Sequence, residues 1–214
     1  MFGESRRFWV AFSTLVIACA LAAVMAVHHS IGRPDLPGPN VKIVLKSGHG
    51  SGINIGNGYI VTAAHVVEDN TSLDIKFEDG TTSKAETLWV NKGADVALLR
   101  FKDDGHTRSA MLSCRTPEVG EAVTAFGNPV AFENLVFRGF VNGKATTVGQ
   151  NKGLIPTDLT IIPGMSGGAL YDAAGYVIGI NVMTAIVPLG FMPSWTRIGF
   201  AVPGTTICGL MGRV

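Results

Sequence analysis

The chain reads as an all-β protein, two six-stranded antiparallel barrels preceded by one apolar N-terminal helix. Three observations predict this. From Val41 onward, apolar runs of four to eight residues alternate with Gly, Asn and Asp punctuation. Extended helical periodicity is absent from the same region, apart from short turns at Ala63–Glu68 and at the C-terminal end. Strands this short and closely spaced must close into barrels or stack as a sandwich to bury their apolar faces. The 214 residues suffice for one sizeable core or two small ones.

The elements follow in order. Residues 1–30 read as a cytoplasmic tail and a transmembrane signal anchor. Phe8 to Val27 carries no charge and no proline, and a helix of that length spans about 30 Å, the thickness of a bilayer core. Arg6 and Arg7 precede it, which keeps the amino terminus cytoplasmic and sends the rest of the chain across. The apolar run exceeds the roughly 7–15 residues usual in a cleavable signal peptide, so an uncleaved anchor is expected. Two alternatives stay open. Ala20-Leu21-Ala22 offers a small-x-small cleavage site, which would give a secreted protein. Val16-Ile17-Ala18-Cys19 resembles a bacterial lipoprotein box with a lipid on Cys19, although the apolar run continues eight residues beyond it. Residues 31–40, with Arg33-Pro34-Asp35-Leu36-Pro37-Gly38-Pro39, form a stiff, extended linker.

The first barrel is expected over 41–115. Its strands are Val41–Leu45, Gly52–Ile55, Tyr59–Thr62, Leu73–Phe77, Lys84–Val90 and Val96–Arg100, with turns at Gly56-Asn57-Gly58 and Asp79-Gly80. The second barrel is expected over 116–214, with strands at Ala122–Phe126, Leu135–Val141, Asp158–Ile161, Ala169–Tyr171, Val177–Met183 and Gly199–Ala201. The division falls near Cys114–Gly120. The formal net charge is only +1, and no Lys/Arg run occurs, so nucleic acid is excluded as a partner. Cys19, Cys114 and Cys208 lack C-x-x-C spacing, which argues against a structural zinc site. Only Cys114 and Cys208 could form a bridge within the globular part; two buried free thiols are the expectation.

Gly164-Met165-Ser166-Gly167-Gly168 is the stretch that points to chemistry. Glycines around a serine let main-chain N–H groups approach a substrate carbonyl, and a serine nucleophile needs both a base and such a cradle. By itself the stretch is equally a Gly-rich turn before a strand. Among the five histidines, His65 is the best base, because it stands where a buried strand ends in Thr62-Ala63-Ala64. His28 and His29 flank the apolar segment, His106 sits in a polar loop and His49 lies between glycines. Asp95 precedes the apolar strand Val96-Ala97-Leu98-Leu99; a carboxylate buried there needs a hydrogen-bonding partner and would fix an imidazole tautomer. Gly-x-Ser-x-Gly also fits the nucleophile elbow of α/β-hydrolases, but that fold places its histidine after the serine. No histidine follows His106, which excludes it.

Thr62-Ala63-Ala64-His65, Asp95-Val96-Ala97-Leu98 and Gly164-Met165-Ser166-Gly167-Gly168 resemble the His, Asp and Ser motifs of chymotrypsin-fold serine proteases, in that fold's order. Gly50-Ser51-Gly52, Gly127-Asn128-Pro129, Thr157-Asp158, Val177-Ile178-Gly179-Ile180-Asn181 and Ile198-Gly199-Phe200-Ala201-Val202-Pro203 bring the likeness closer to the bacterial HtrA/Deg branch, over about Val41 to Pro203. The resemblance implies an endopeptidase that acts on protein or peptide substrates, and with the anchor read from Phe8–Val27 the expectation is a membrane-anchored enzyme facing the periplasm or the exterior. It implies a triad of His65, Asp95 and Ser166, an oxyanion hole from the N–H groups of Gly164 and Ser166, and neither metal nor organic cofactor. Substrate-binding positions would be Thr160, Ile161, Ile162, Ile180, Asn181 and Val182. The absence of an acidic residue in Thr160-Ile161-Ile162-Pro163 predicts cleavage after small or medium apolar residues. Two departures stand out. Met165 replaces the Asp or Asn usual before the nucleophile, so a zymogen-type ion pair cannot form there. The sequence runs about eleven residues past Pro203, so the PDZ module common in that branch is not expected here. A homotrimer rests on the resemblance alone. The competing expectation is an inactive homologue that keeps the fold and binds peptides.

Overall fold

The computed structural model describes residues 38–105, 107–189 and 192–212. The expected anchor at Phe8–Val27, the cleavage and lipidation alternatives and most of the linker lie outside these residues. Among the described residues no helix is long and apolar enough to cross a membrane.

The first half is a closed barrel of six strands: β1 (Asn40–Leu45), β2 (Gly48–Gly56), β3 (Tyr59–Thr62), β4 (Ser72–Phe77), β5 (Thr82–Asn91) and β6 (Val96–Phe101). The order around it is β1-β2-β3-β6-β5-β4, and antiparallel pairing of β1 with β4 closes the ring. Alternation explains the inward faces. Leu73, Ile75 and Phe77 of β4 are buried, while Ser72 and Asp74, on the alternate positions, are exposed. Each such side chain contributes roughly 1.5–3 kcal/mol on full burial. A one-turn helix, α1 (Ala64–Val67), follows β3.

The second half departs from the expected closed six-stranded barrel. It is a half-barrel of seven strands: β7 (Ala122–Gly127), β8 (Leu135–Phe140), β9 (Thr146–Val148), β10 (Asn151–Thr157), β11 (Ala169–Tyr171), β12 (Val177–Leu189) and β13 (Met192–Pro203), in the order β8-β7-β11-β12-β13-β10-β9. Its curl brings the end of β8 to β10, but only the bridge Val141–Thr157 joins them. There the Asp158 carboxylate accepts the Phe140 N–H at 2.7 Å, so a side chain occupies a place where a ladder would continue. For the same reason the strand expected at Asp158–Ile161 is displaced to Asn151–Thr157. Gly153 and Pro156 give that segment the look of a loop, yet Leu154 and Ile155 are fully buried. The β12–β13 hairpin also runs far past its expected ends, pairing out to Leu189 and Met192.

A short helix, α2 (Gly204–Leu210), ends the described chain. Cys208 on it forms a disulfide with Cys114, Cα to Cα 5.6 Å, which corrects the expectation of two free thiols. Spacing carried no sign of it, because the two cysteines lie 94 residues apart and meet only when α2 folds back onto the connector between the halves. The first barrel's core extends into the second half, taking in Leu154, Ile180, Val202 and Ile207, while a smaller cluster around Val123, Leu170 and Ile178 fills the half-barrel. The cleft between the halves is thus floored by shared packing.

Candidate active site

His65 and Asp95 both come from the first barrel. α1 buries Ala64, Val66 and Val67, which turns His65 outward and leaves its side chain 48% exposed. Asp95 stands just before β6 with φ 54, a left-handed conformation that Asp tolerates better than most residues. It is 4% exposed. Its carboxylate accepts the His65 backbone N–H at 3.0 Å and the Nδ1–H at 2.8 and 3.0 Å. A carboxylate accepts only, so Nδ1 carries the proton and Nε2 of the neutral ring keeps a lone pair. These bonds offset the cost of burying Asp95 and define the ring's tautomer and plane.

Ser166 lies on the loop between β10 and β11. Its carbonyl accepts the Ser51 N–H at 2.9 Å, and the Gly167 N–H reaches the Asn181 carbonyl at 2.7 Å. Gly167 has φ +82, and an added Cβ would lie 2.1 Å from Thr62 Oγ1; only glycine fits against the first barrel there. Met165 is fully buried in the second cluster. A side chain on Gly127 would meet the Met165 Cα at 2.8 Å, so Gly127 leaves the space that Met165 fills. Packing takes the place of an ion pair at this position.

The loop's carbonyls decide where its N–H groups point. The Pro163 carbonyl accepts the Val130 N–H at 3.0 Å, and the Met165 carbonyl accepts the Gly168 N–H at 3.0 Å. Among the described residues no peptide is cis, so in each unit the N–H points opposite its carbonyl. The N–H groups of Gly164 and Ser166 are therefore turned away from Val130 and Gly168. The Gly164 carbonyl is held in turn by Ser51 Oγ–H at 2.7 Å, and Ser51 Oγ accepts Asn128 N–H and Nδ2–H at 3.0 and 3.1 Å. Ser51, Asn128 and Val130 are loop supports that residue-by-residue reading missed. Their signal lay in the Gly-Ser-Gly and Gly-Asn-Pro strings, which carry no role until the halves are docked.

His65, Ser166 and Gly164 share a cleft of about 370 Å³ with Ile161, Ile162 and Val182. Met183, Ile186 and Trp195 add apolar walls, and among the described residues no carboxylate lines it. The Ser166 hydroxyl donates to the Val182 carbonyl at 3.1 Å, and no hydrogen bond joins it to His65 among the described residues. The other expected substrate-binding positions do not reach the cleft. Ile180 is fully buried. Asn181 is 1% exposed and spends its amide N–H groups on the Gly168, Ala169 and Phe126 carbonyls. Thr160 donates to the Thr196 carbonyl at 3.3 Å.

Residues 50–180 match the family model of the trypsin-like peptidase domain. The chain is 34% identical over 158 residues to a probable periplasmic serine endoprotease, DegP-like, of Pseudomonas savastanoi, covering 72% of this chain and 32% of that protein. It is 33% identical over 176 residues to the serine protease Do-like HtrA of Bacillus subtilis, covering 76% of this chain and 38% of the relative. The crystal structure of the serine endoprotease from Yersinia pestis superposes with a TM-score of 0.69 at 28% identity, covering 84% of this chain and 63% of that one. The chain thus spans about a third of the length of these curated relatives.

Proposed function

The chain belongs to the trypsin-like peptidase family, among its HtrA and DegP-like serine proteases, and from that membership we propose that it hydrolyses peptide bonds through Ser166, His65 and Asp95. The observation that carries this reading is one cleft holding a serine hydroxyl, an imidazole oriented by a buried carboxylate so that Nε2 faces outward as an acceptor, and two N–H groups freed by their pinned neighbours. His65 Nε2 takes the Ser166 proton as Oγ attacks the scissile carbonyl. The oxyanion forms against the N–H groups of Gly164 and Ser166, and losing one such donor raises the barrier by about 2.7–4 kcal/mol. The same proton then passes from Nε2 to the leaving amine, and water repeats the sequence on the acyl-enzyme. Before the first step Ser166 must release the Val182 carbonyl, at the cost of one ordinary hydrogen bond, about 0.5–1.5 kcal/mol.

The apolar walls and the absence of a lining carboxylate support cleavage after small or medium apolar residues. A peptide panel with strong cleavage after Arg would overturn that preference. The disulfide supports an oxidising compartment such as the periplasm, the location in the DegP-like relative's name, and Phe8–Val27 supplies the anchor. Fractionation of cells carrying the full chain should place it in the membrane pellet, with the globular part degraded by external protease only after the outer membrane is opened.

Labelling with a fluorophosphonate is the test of the central reading. The wild-type protein should be modified at Ser166 and the Ser166→Ala variant should not. A folded wild-type chain that stays unlabelled would identify an inactive, peptide-binding homologue instead.

A further inference from the structure

We propose that His49 is a positioning residue for the oxyanion-binding loop, holding the Asn128 carbonyl against Gly164 so that the Gly164 N–H keeps its direction. The proposal rests on the reading of Ser166 as nucleophile. His49 lies on β2, opposite Val44 of β1. Its ring Nε2 is 2.6 Å from the Asn128 carbonyl. That oxygen can only accept, so Nε2 carries the proton. The ring is half-buried and lines the same cleft as His65 and Ser166.

The contact is made against the loop itself. A Cβ placed on Gly164 would lie 2.2 Å from the Asn128 oxygen and 2.6 Å from His49 Nε2, and Gly164 has φ +96. The imidazole and the carbonyl it holds press directly on Gly164, one of the two residues whose N–H must point into the cleft. Asn128 is otherwise held on every side. Ser51 Oγ accepts its N–H and Nδ2–H, and its Oδ1 accepts the Asn134 N–H at 3.1 Å. His49 binds its remaining carbonyl. Two residues further on, the Val130 N–H holds the Pro163 carbonyl, which sets the plane of the Pro163–Gly164 peptide. His49 therefore completes a chain of restraints running from the first barrel to the peptide that presents Gly164 N–H.

Without the Nε2–H donor, the Asn128 carbonyl loses its partner and the 128–130 segment can turn, freeing the Pro163–Gly164 peptide to flip. A flip replaces an N–H donor with a carbonyl oxygen at the oxyanion. Ground-state binding of an extended peptide does not use that donor, so the loss falls on the transition state.

The experiment compares wild type, His49→Leu and His49→Gln in the full chain, using a peptide substrate cleaved by the wild type and a peptide boronate of the same sequence. The glutamine amide places an N–H near the position of Nε2; leucine removes it. His49→Leu should lower kcat by about 10–100-fold, part of the cost of losing one oxyanion donor outright. KM should stay within about threefold, boronate affinity should fall in parallel with kcat, and His49→Gln should recover most of both. An unchanged kcat in His49→Leu overturns the proposal, as does a loss shared equally by kcat and thermal midpoint without rescue by glutamine. If His49→Leu does not fold, His49→Met tests the same loss of the donor. Independently of any variant, the imidazole ¹⁵N shifts of wild-type His49 must show protonated Nε2; an Nδ1–H neutral tautomer overturns the proposal. A wild type that neither labels nor turns over defeats the nucleophile reading together with this one, whereas an active wild type with an indifferent His49→Leu defeats this one alone.

Discussion

Removing the Cys114–Cys208 bridge, as the double variant Cys114→Ala/Cys208→Ala, should destabilise the protein by an amount set by the chain it closes. The cysteines are 94 residues apart, and the chain-entropy cost released to the unfolded state for a loop of about that length is roughly 4.7 kcal/mol. A domain of this size loses about 2–4 °C of melting temperature per kcal/mol, so the expected drop is on the order of 9–19 °C. The bridge joins α2 to the connector between the halves, where a Cβ on Gly204 would lie 2.0 Å from the Ser113 carbonyl. The C-terminal helix is therefore already seated closely, and the effect should come from the unfolded chain more than from loss of native contacts. Cys114 is exposed and Cys208 fully buried, so the bridge runs from the surface into the interior. Thermal unfolding followed by circular dichroism, with and without a phosphine reductant, measures the shift in the wild type, and the double variant should reproduce it without reductant. A shift below about 3 °C would refute the entropic reasoning. Titration of the unfolded, unreduced chain should find at most one thiol; three would refute the bridge itself.

Asp95→Asn should keep the fold while lowering kcat by about 10⁴-fold at neutral pH, because an amide can donate to Nδ1 and so select the wrong imidazole tautomer; steady-state kinetics with KM near wild type checks it. Met165→Leu should cost less than about 1.5 kcal/mol and Met165→Ala about 2–5 kcal/mol, read from urea unfolding. Met165→Asp should give no folded protein, since the side chain is wholly buried among apolar neighbours. Glu133, hydrogen-bonded to Lys42 and Lys76, is held well down from the usual carboxylate range, at about 2. A lowered folded-state pKa means its contribution is complete above the ordinary Glu range, near 4.5, and is lost as pH falls from there through about 2. The carboxylate is 34% exposed, so salt screens much of this contribution. Glu133→Gln should flatten the acid limb of the stability curve in low salt, and 0.5 M salt should reduce the difference.

The first barrel was legible in the chain because its strands are short apolar runs, with burial alternating in β4 and continuous over most of β2, β3 and β6, and each turn carries Gly or Asn, so local chemistry and global closure agree. The half-barrel was less so. Gly153 and Pro156 disguised β10, and Pro188 and Pro193 hid the outer pairing of the β12–β13 hairpin. A two-stranded ribbon has free edges, where a missing N–H costs little, and the residues alone could not say that this ribbon stands apart from the sheet.

By itself the sequence determined the motifs His65, Asp95 and Ser166, their order, and the family to which the chain belongs. These are local strings whose residue types are demanded by short-range chemistry. Only the tertiary structure decided which groups meet. It brought Asp95 onto His65 Nδ1, turned Ile180 and Asn181 into the interior, joined Cys114 to Cys208, and buried Met165 where an ion pair was absent. It also set His49, Ser51 and Asn128 around the loop that carries Gly164 and Ser166. Burial and hydrogen-bond satisfaction depend on surfaces that are distant in the chain, and those exist only once the two halves have docked.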